Sequence, residues 1–185
     1  MGQKFAAFDA QGNITAFYDS IDSPVPEGGQ AIEINDAEWQ TCISQQGQWH
    51  VVSGALAQVP PPSAAQLLAQ AQSAQVASLY QSCTNAIASG FTSSALGSAY
   101  TYPSTLTDQT NQNTVANCSS GGVLWCATGG AWAFKAHTQE QAQAVVAAFA
   151  AWLNKCQSQL VMLTGQVNAA TSVSAVQAIA WTNPQ

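Results

Sequence analysis

Before residue 59 the apolar positions alternate, and beyond residue 63 they recur at helical spacing. KFAAFDAQGNITAFYDS predicts a hairpin turning at Gln11, Gly12 and Asn13. A loop carrying Pro24, Pro26, Gly28 and Gly29 follows, then AIEI as a short alternating strand. Asn35 or Asp36 is placed to cap a helix over DAEWQTCISQQ, with acidic Asp36 and Glu38 at its positive end. QWHVVSGALAQV predicts a second hairpin, turning at Ser53 and Gly54.

The rest reads as helix around a strand pair. Leu68, Val76, Leu79, Tyr80, Cys83 and Ile87 predict one apolar helical face, stopped at Gly90. Val145, Phe149, Trp152, Cys156, Leu160, Leu163 and Val167 step by 4, 3, 4, 4, 3 and 4. Thr138 with Gln141 forms a capping-box signature before them. Thr171 is expected to begin a last short helix over SVSAVQAIAW. Two helices of about 26 and 30 residues would run roughly 40 to 45 Å and pair in antiparallel fashion.

The expected fold class is therefore α+β. A β-rich module (1–58) and a Pro-rich linker (59–63) precede a helical hairpin domain (64–185) with a β-hairpin tip inserted at about 90–137. The run VPPPS reads as a stiff, extended connector.

Charge sharpens this division. Only 6% of the 185 residues are charged, the net charge is −6, and beyond residue 63 the charged residues are Asp108, Lys135, Glu140 and Lys155. Such a surface repels a phosphate backbone and an anionic membrane, so neither nucleic acid nor membrane is an expected partner. The longest apolar stretches are too short to span a bilayer. The N-terminus meets Asp9 too soon for a signal-peptide core and lacks the Ser or Thr of a myristoylation site, so synthesis in a cytoplasm is expected. With few ion pairs available on the helices' outer faces, either the last helix or another chain is expected to cover one side, making a homo-oligomer an open expectation.

The densest chemistry lies in CSSGGVLWCATGGAWAFKAHTQEQ, residues 118–141. Gly129 and Gly130 invite a two-residue turn, which sets Ala127 opposite Trp132, Trp125 opposite Phe134 and Gly122 opposite His137. Val123, Trp125, Ala127, Trp132, Phe134 and Ala136 then share one face, expected to pack on the helix pair. Cys126 and His137 share the other face, about 13 Å apart at 3.3 Å per residue, too far to hold one metal ion. Cys118 is left open between a free thiol and a disulfide with Cys126. TDQTNQNT offers Asp108, Gln109 and Asn111 either as hydrogen-bonding groups or as part of a helix start capped by Thr107 or Asp108. No nucleophile elbow, zinc-protease, Walker or dinucleotide motif occurs, so no enzyme activity, metal or cofactor is expected.

Two stretches resemble proteins of tailed bacteriophages. Phe8-Asp9 with Gly12, Pro26, Ala31-Glu33-Ile34-Asp36-Trp39, Gly54-Leu56 and Pro60–Pro62 are similar to the N-terminal part of tail-fibre assembly proteins. From about Ala86 to Trp181, Gly90-Phe91, Leu96-Gly97, Tyr102, Asp108-Gln109-x-Asn111, Trp132, His137-Thr138-x-x-Gln141 and Trp181 resemble a phage domain of unknown function found joined to such modules. The resemblance implies an assembly chaperone or fibre-associated accessory protein, working in the host cytoplasm and either leaving or staying in the virion tail. It implies a tail-fibre or tail protein as partner and no catalytic residue. A permanent tail component and a glycan-binding fibre tip are the alternatives. Trp125, Trp132, Phe134, Asp108, Gln109 and Asn111 are the candidate binding residues.

Overall fold

The structure is a computed structural model describing residues 2–185. The chain is a mixed α+β protein that divides into two compact units, one ending at Pro62 and the other spanning Ser63–Gln185.

In the first unit, β1 (Lys4–Phe8) is flanked by β2 (Ile14–Asp19) and β3 (Ala31–Ile34), both antiparallel to it. The β1–β2 turn forms because the Asp9 carboxylate accepts the backbone N–H groups of Gln11 and Asn13, each at 2.9 Å. Gly12 stands at φ +84°, and a Cβ there would meet the Val51 carbonyl at 2.3 Å, so this position requires glycine. Lys4 faces Asp19 across the register and forms an ion pair with it. That ammonium and the Ile21 N–H lower the Asp19 carboxyl to about 2. Helix α1 (Asp36–Ser44) starts in a capping box in which Asn35 accepts from Glu38 N and Glu38 reaches back to Asn35 N. Strands β4 (Trp49–Val52) and β5 (Ala55–Gln58) form the second hairpin, with Ser53 and Gly54 both at positive φ in its turn.

The second unit opens with α2 (Ala64–Ala88), followed by β6 (Phe91–Ser93), β7 (Tyr100–Tyr102), α3 (Leu106–Ala116), β8 (Gly122–Thr128), β9 (Ala131–His137), α4 (Gln139–Ala169) and α5 (Val173–Gln177). Helices α2 and α4 lie side by side and run in opposite directions. Gln72 Nε2 reaches Val167 O at 3.2 Å, Cys83 Sγ lies 3.6 Å from Cys156 O, and Trp152 Nε1 reaches Ala86 O at 3.3 Å. Neutral amides take the place of ion pairs here. Gln72 also donates to Ala170 O, satisfying carbonyls that the end of α4 leaves without helical partners. Gln75 does the same for Ile179 O, which ties the C-terminal segment to α2.

One apolar cluster gathers Leu79, Leu163, Val167 and Val176, so α5 covers one side of the helix pair. Three sequence expectations change at this level. Tyr80 is 65% exposed, because it follows Leu79 around the helix by 100° and so leaves the buried stripe. The last helix is begun by Ser172, whose hydroxyl accepts Ala175 N–H, and it ends at Gln177 instead of continuing to Trp181. The inserted segment is a four-stranded antiparallel sheet, ordered β6-β7-β8-β9, where a two-stranded hairpin was expected. Strands of three residues, such as β6 and β7, are too short to show a period.

Candidate binding site

The two-residue turn sits at Gly129 (φ +56°) and Gly130 (φ +83°), and the β8–β9 register follows from it. Trp125 pairs with Phe134, Ala127 with Trp132 and Gly122 with His137. The faces, however, are the reverse of the packing expectation. Leu124 and Cys126 are buried with Phe91, Tyr102, Ala142 and Val145, against α4. Trp125, Trp132 and Phe134 are 41%, 44% and 65% exposed. The small side chains of this strand pair fit closely over Ala142 and Val145, whereas three rings on that side would hold the sheet away from α4.

The exposed rings form a connected strip. Trp125 and Trp132 stack at 6.1 Å between centroids, and Trp125 meets Phe134 at 4.8 Å. Strand β9 pairs only with β8, so its outer edge is unpaired among the described residues.

Helix α3 stands beside this strip. Its cap is Thr105, and neither Thr107 nor Asp108 is the capping residue: Thr105 accepts Asp108 N–H while Asp108 Oδ2 takes the Thr105 N–H and hydroxyl. The cap lies two or three residues earlier than expected because Thr105 and Asp108 satisfy each other's backbone N–H groups; the neighbouring Ser104 hydroxyl is engaged elsewhere, donating to Ile87 O and accepting Gly90 N–H at the end of α2. Asp108, Asn111, Gln112 and Val115 follow each other at i, i+3, i+4 and i+7, which places them on one side of α3. They line one wall of a cleft of about 460 Å³ whose other wall holds Val123, Leu124, Trp125 and Phe134. Four of the six candidate binding residues (Asp108, Asn111, Trp125 and Phe134) thus meet in one place. Gln109 does not join them, since its amide donates to Ser104 O at 2.9 Å, and Trp132 touches the site through its stack on Trp125. Gln112 is a site residue the sequence reading missed. Within a run of polar residues nothing separates it from Gln109 until the start of the helix is known.

On the buried side, Cys126 and His137 share a face as expected, and Tyr102 lies with them. The Tyr102 hydroxyl is 2.8 Å from His137 Nε2, and His137 Nδ1 is 2.8 Å from Lys135 O. A carbonyl only accepts, so Nδ1 carries the proton and Nε2 accepts from the phenol. Burial pushes the Tyr102 phenol and the Cys126 thiol up, so both stay protonated and unreactive at neutral pH. The five cysteines are free thiols; Cys118 is exposed and its thiol is lowered by the Ser120 hydroxyl. Among the described residues no three His, Cys, Asp or Glu side chains converge as metal ligands, and no helix is long and apolar enough to cross a membrane. No family model, curated protein or solved structure matches the chain.

Proposed function

We propose that the protein binds another protein through the aromatic strip of β8–β9, as an assembly chaperone or fibre-associated accessory protein of a bacteriophage tail. The observation that carries the binding reading is the set of stacked, solvent-facing rings of Trp125, Trp132 and Phe134 beside the unpaired edge of β9. Exposed aromatic patches mark contact surfaces, and an open strand edge accepts an extended segment of a partner. The phage assignment rests on the sequence motifs alone. In this reading α2 and α4 form a helical hairpin stalk and residues 59–63 a stiff joint to the β-rich module. The strip would shield strand edges of the fibre that otherwise aggregate before trimerisation. The protein would act in the host cytoplasm without catalysing a reaction.

Co-expression with the neighbouring tail-fibre gene tests this. The fibre is expected to appear as soluble trimer with the wild-type protein and as aggregate with the Trp132→Ala variant. A fibre that folds and trimerises equally well alone would refute the chaperone role. Mass spectrometry of purified virions separates a departing chaperone from a permanent tail component.

A further inference from the structure

The cleft between α3 and the β8–β9 strip carries a second reading, which goes beyond fibre binding: it shares the rings of Trp125 and Phe134 with the strip and adds polar groups of α3. Gln112 is 3% exposed and lines this cleft. Its Nε2 donates to Pro103 O at 2.8 Å, which fixes the amide with the carbonyl Oε1 free of any donor among the described residues. Oε1 is not sealed from solvent, since among the described residues the buried side-chain polar atom without a partner is Trp39 Nε1; water serves Oε1 in the cleft, and a ligand hydroxyl can take that water's place. Two more polar groups stand on the same helical side. Among the described residues, Asp108 commits Oδ2 to Thr105 and leaves Oδ1 free, and the exposed Asn111 amide makes no hydrogen bond. Opposite them are the rings of Trp125 and Phe134.

We propose that this cleft binds a neutral saccharide. A pyranose ring has an apolar C–H face, which stacks on Trp125 and Phe134, and a rim of hydroxyl donors, which can replace water on Gln112 Oε1, Asp108 Oδ1 and Asn111. A purely apolar ligand would leave those acceptors dry. An anionic ligand would meet Asp108, the one charged side chain among the described residues lining the cleft, with no cation to offset it. The volume of about 460 Å³ lies within the usual range of small-ligand sites.

The test is an array of neutral glycans and their sulfated and sialylated counterparts, probed with the full chain. Hits are then titrated by tryptophan fluorescence and by saturation-transfer NMR. Binding to neutral glycans is expected, weakened by about tenfold or more in Asn111→Ala, which loses hydrogen bonds to the ligand and none within the chain. Phe134→Ala is expected to weaken it similarly. Asn111→Ala, whose side chain lies on α3 and not among the rings of the strip, loses saccharide binding while keeping fibre capture, so the two readings fail separately. Silence toward neutral glycans by both array and NMR, a preference for anionic glycans, or binding unchanged in Asn111→Ala would overturn the proposal. Asn111 lies on the helix surface, so that variant folds even if Phe134→Ala does not.

Discussion

Leu124→Ala and Phe134→Ala remove apolar side chains from two paired strands, yet the structure assigns them very different costs. Leu124 is 3% exposed and sits in the cluster with Phe91, Tyr102 and Val145, so its truncation leaves unfilled space between that cluster and the cleft. Leucine truncations of this kind cost about 2–5 kcal/mol, the transfer of the lost methyl groups plus the unfilled cavity. A fully buried phenylalanine would cost about 3–5 kcal/mol, but Phe134 is 65% exposed and keeps roughly a third of that, about 1–1.7 kcal/mol, much of it from its contact with Trp125. Urea unfolding of the full chain, followed by far-UV circular dichroism, reads the difference. The signal reports mainly the second unit, since α2 and α4 have 25 and 31 residues against nine in α1. Because the chain has two units, the helical transition is to be fitted separately from the indole N–H NMR signals of Trp39 and Trp49. A Phe134→Ala loss equal to or larger than that of Leu124→Ala would put the aromatic face inward and refute the orientation of the sheet.

Three further outcomes are expected. Tyr102→Phe leaves His137 Nε2 buried without its donor and should cost about 1–3 kcal/mol in the same urea titration. Gly121→Ala should cost more than about 1 kcal/mol, since φ is +69° and the new Cβ would meet His137 O at 2.1 Å. Asp19 has a folded value of about 2 against an ordinary 3.8, so its contribution is complete above about pH 4 and is lost as the pH falls toward 2. The indole N–H NMR signals of Trp39 and Trp49, followed during acid titration, should show that loss, and Asp19→Asn should flatten it.

Local signals were legible where a few adjacent residues settle the geometry. The Gly129-Gly130 turn dictates the β8–β9 pairing down to Trp125 against Phe134, because two consecutive positive-φ residues permit one tight connection. Thr138 with Gln141 marks the start of α4, because both halves of that hydrogen-bonded box lie within four residues. Where a helix start had competing polar residues, as at Thr105 or Ser172, the local pattern did not choose among them. At Thr105 the reciprocal box with Asp108 decided the start, Asp108 serving as the third helical residue and not as the cap.

What the sequence determines by itself is therefore the longer elements, the start of α4, and which side chains share a face of the strand pair. Which of the two faces meets the core was decided by tertiary packing, because strand pairing is the same whichever side is buried and only the fit against Ala142 and Val145 distinguishes them. The cleft likewise belongs to the fold: Gln112 and Trp125 are 13 positions apart and become opposite walls only when α3 lies against β8.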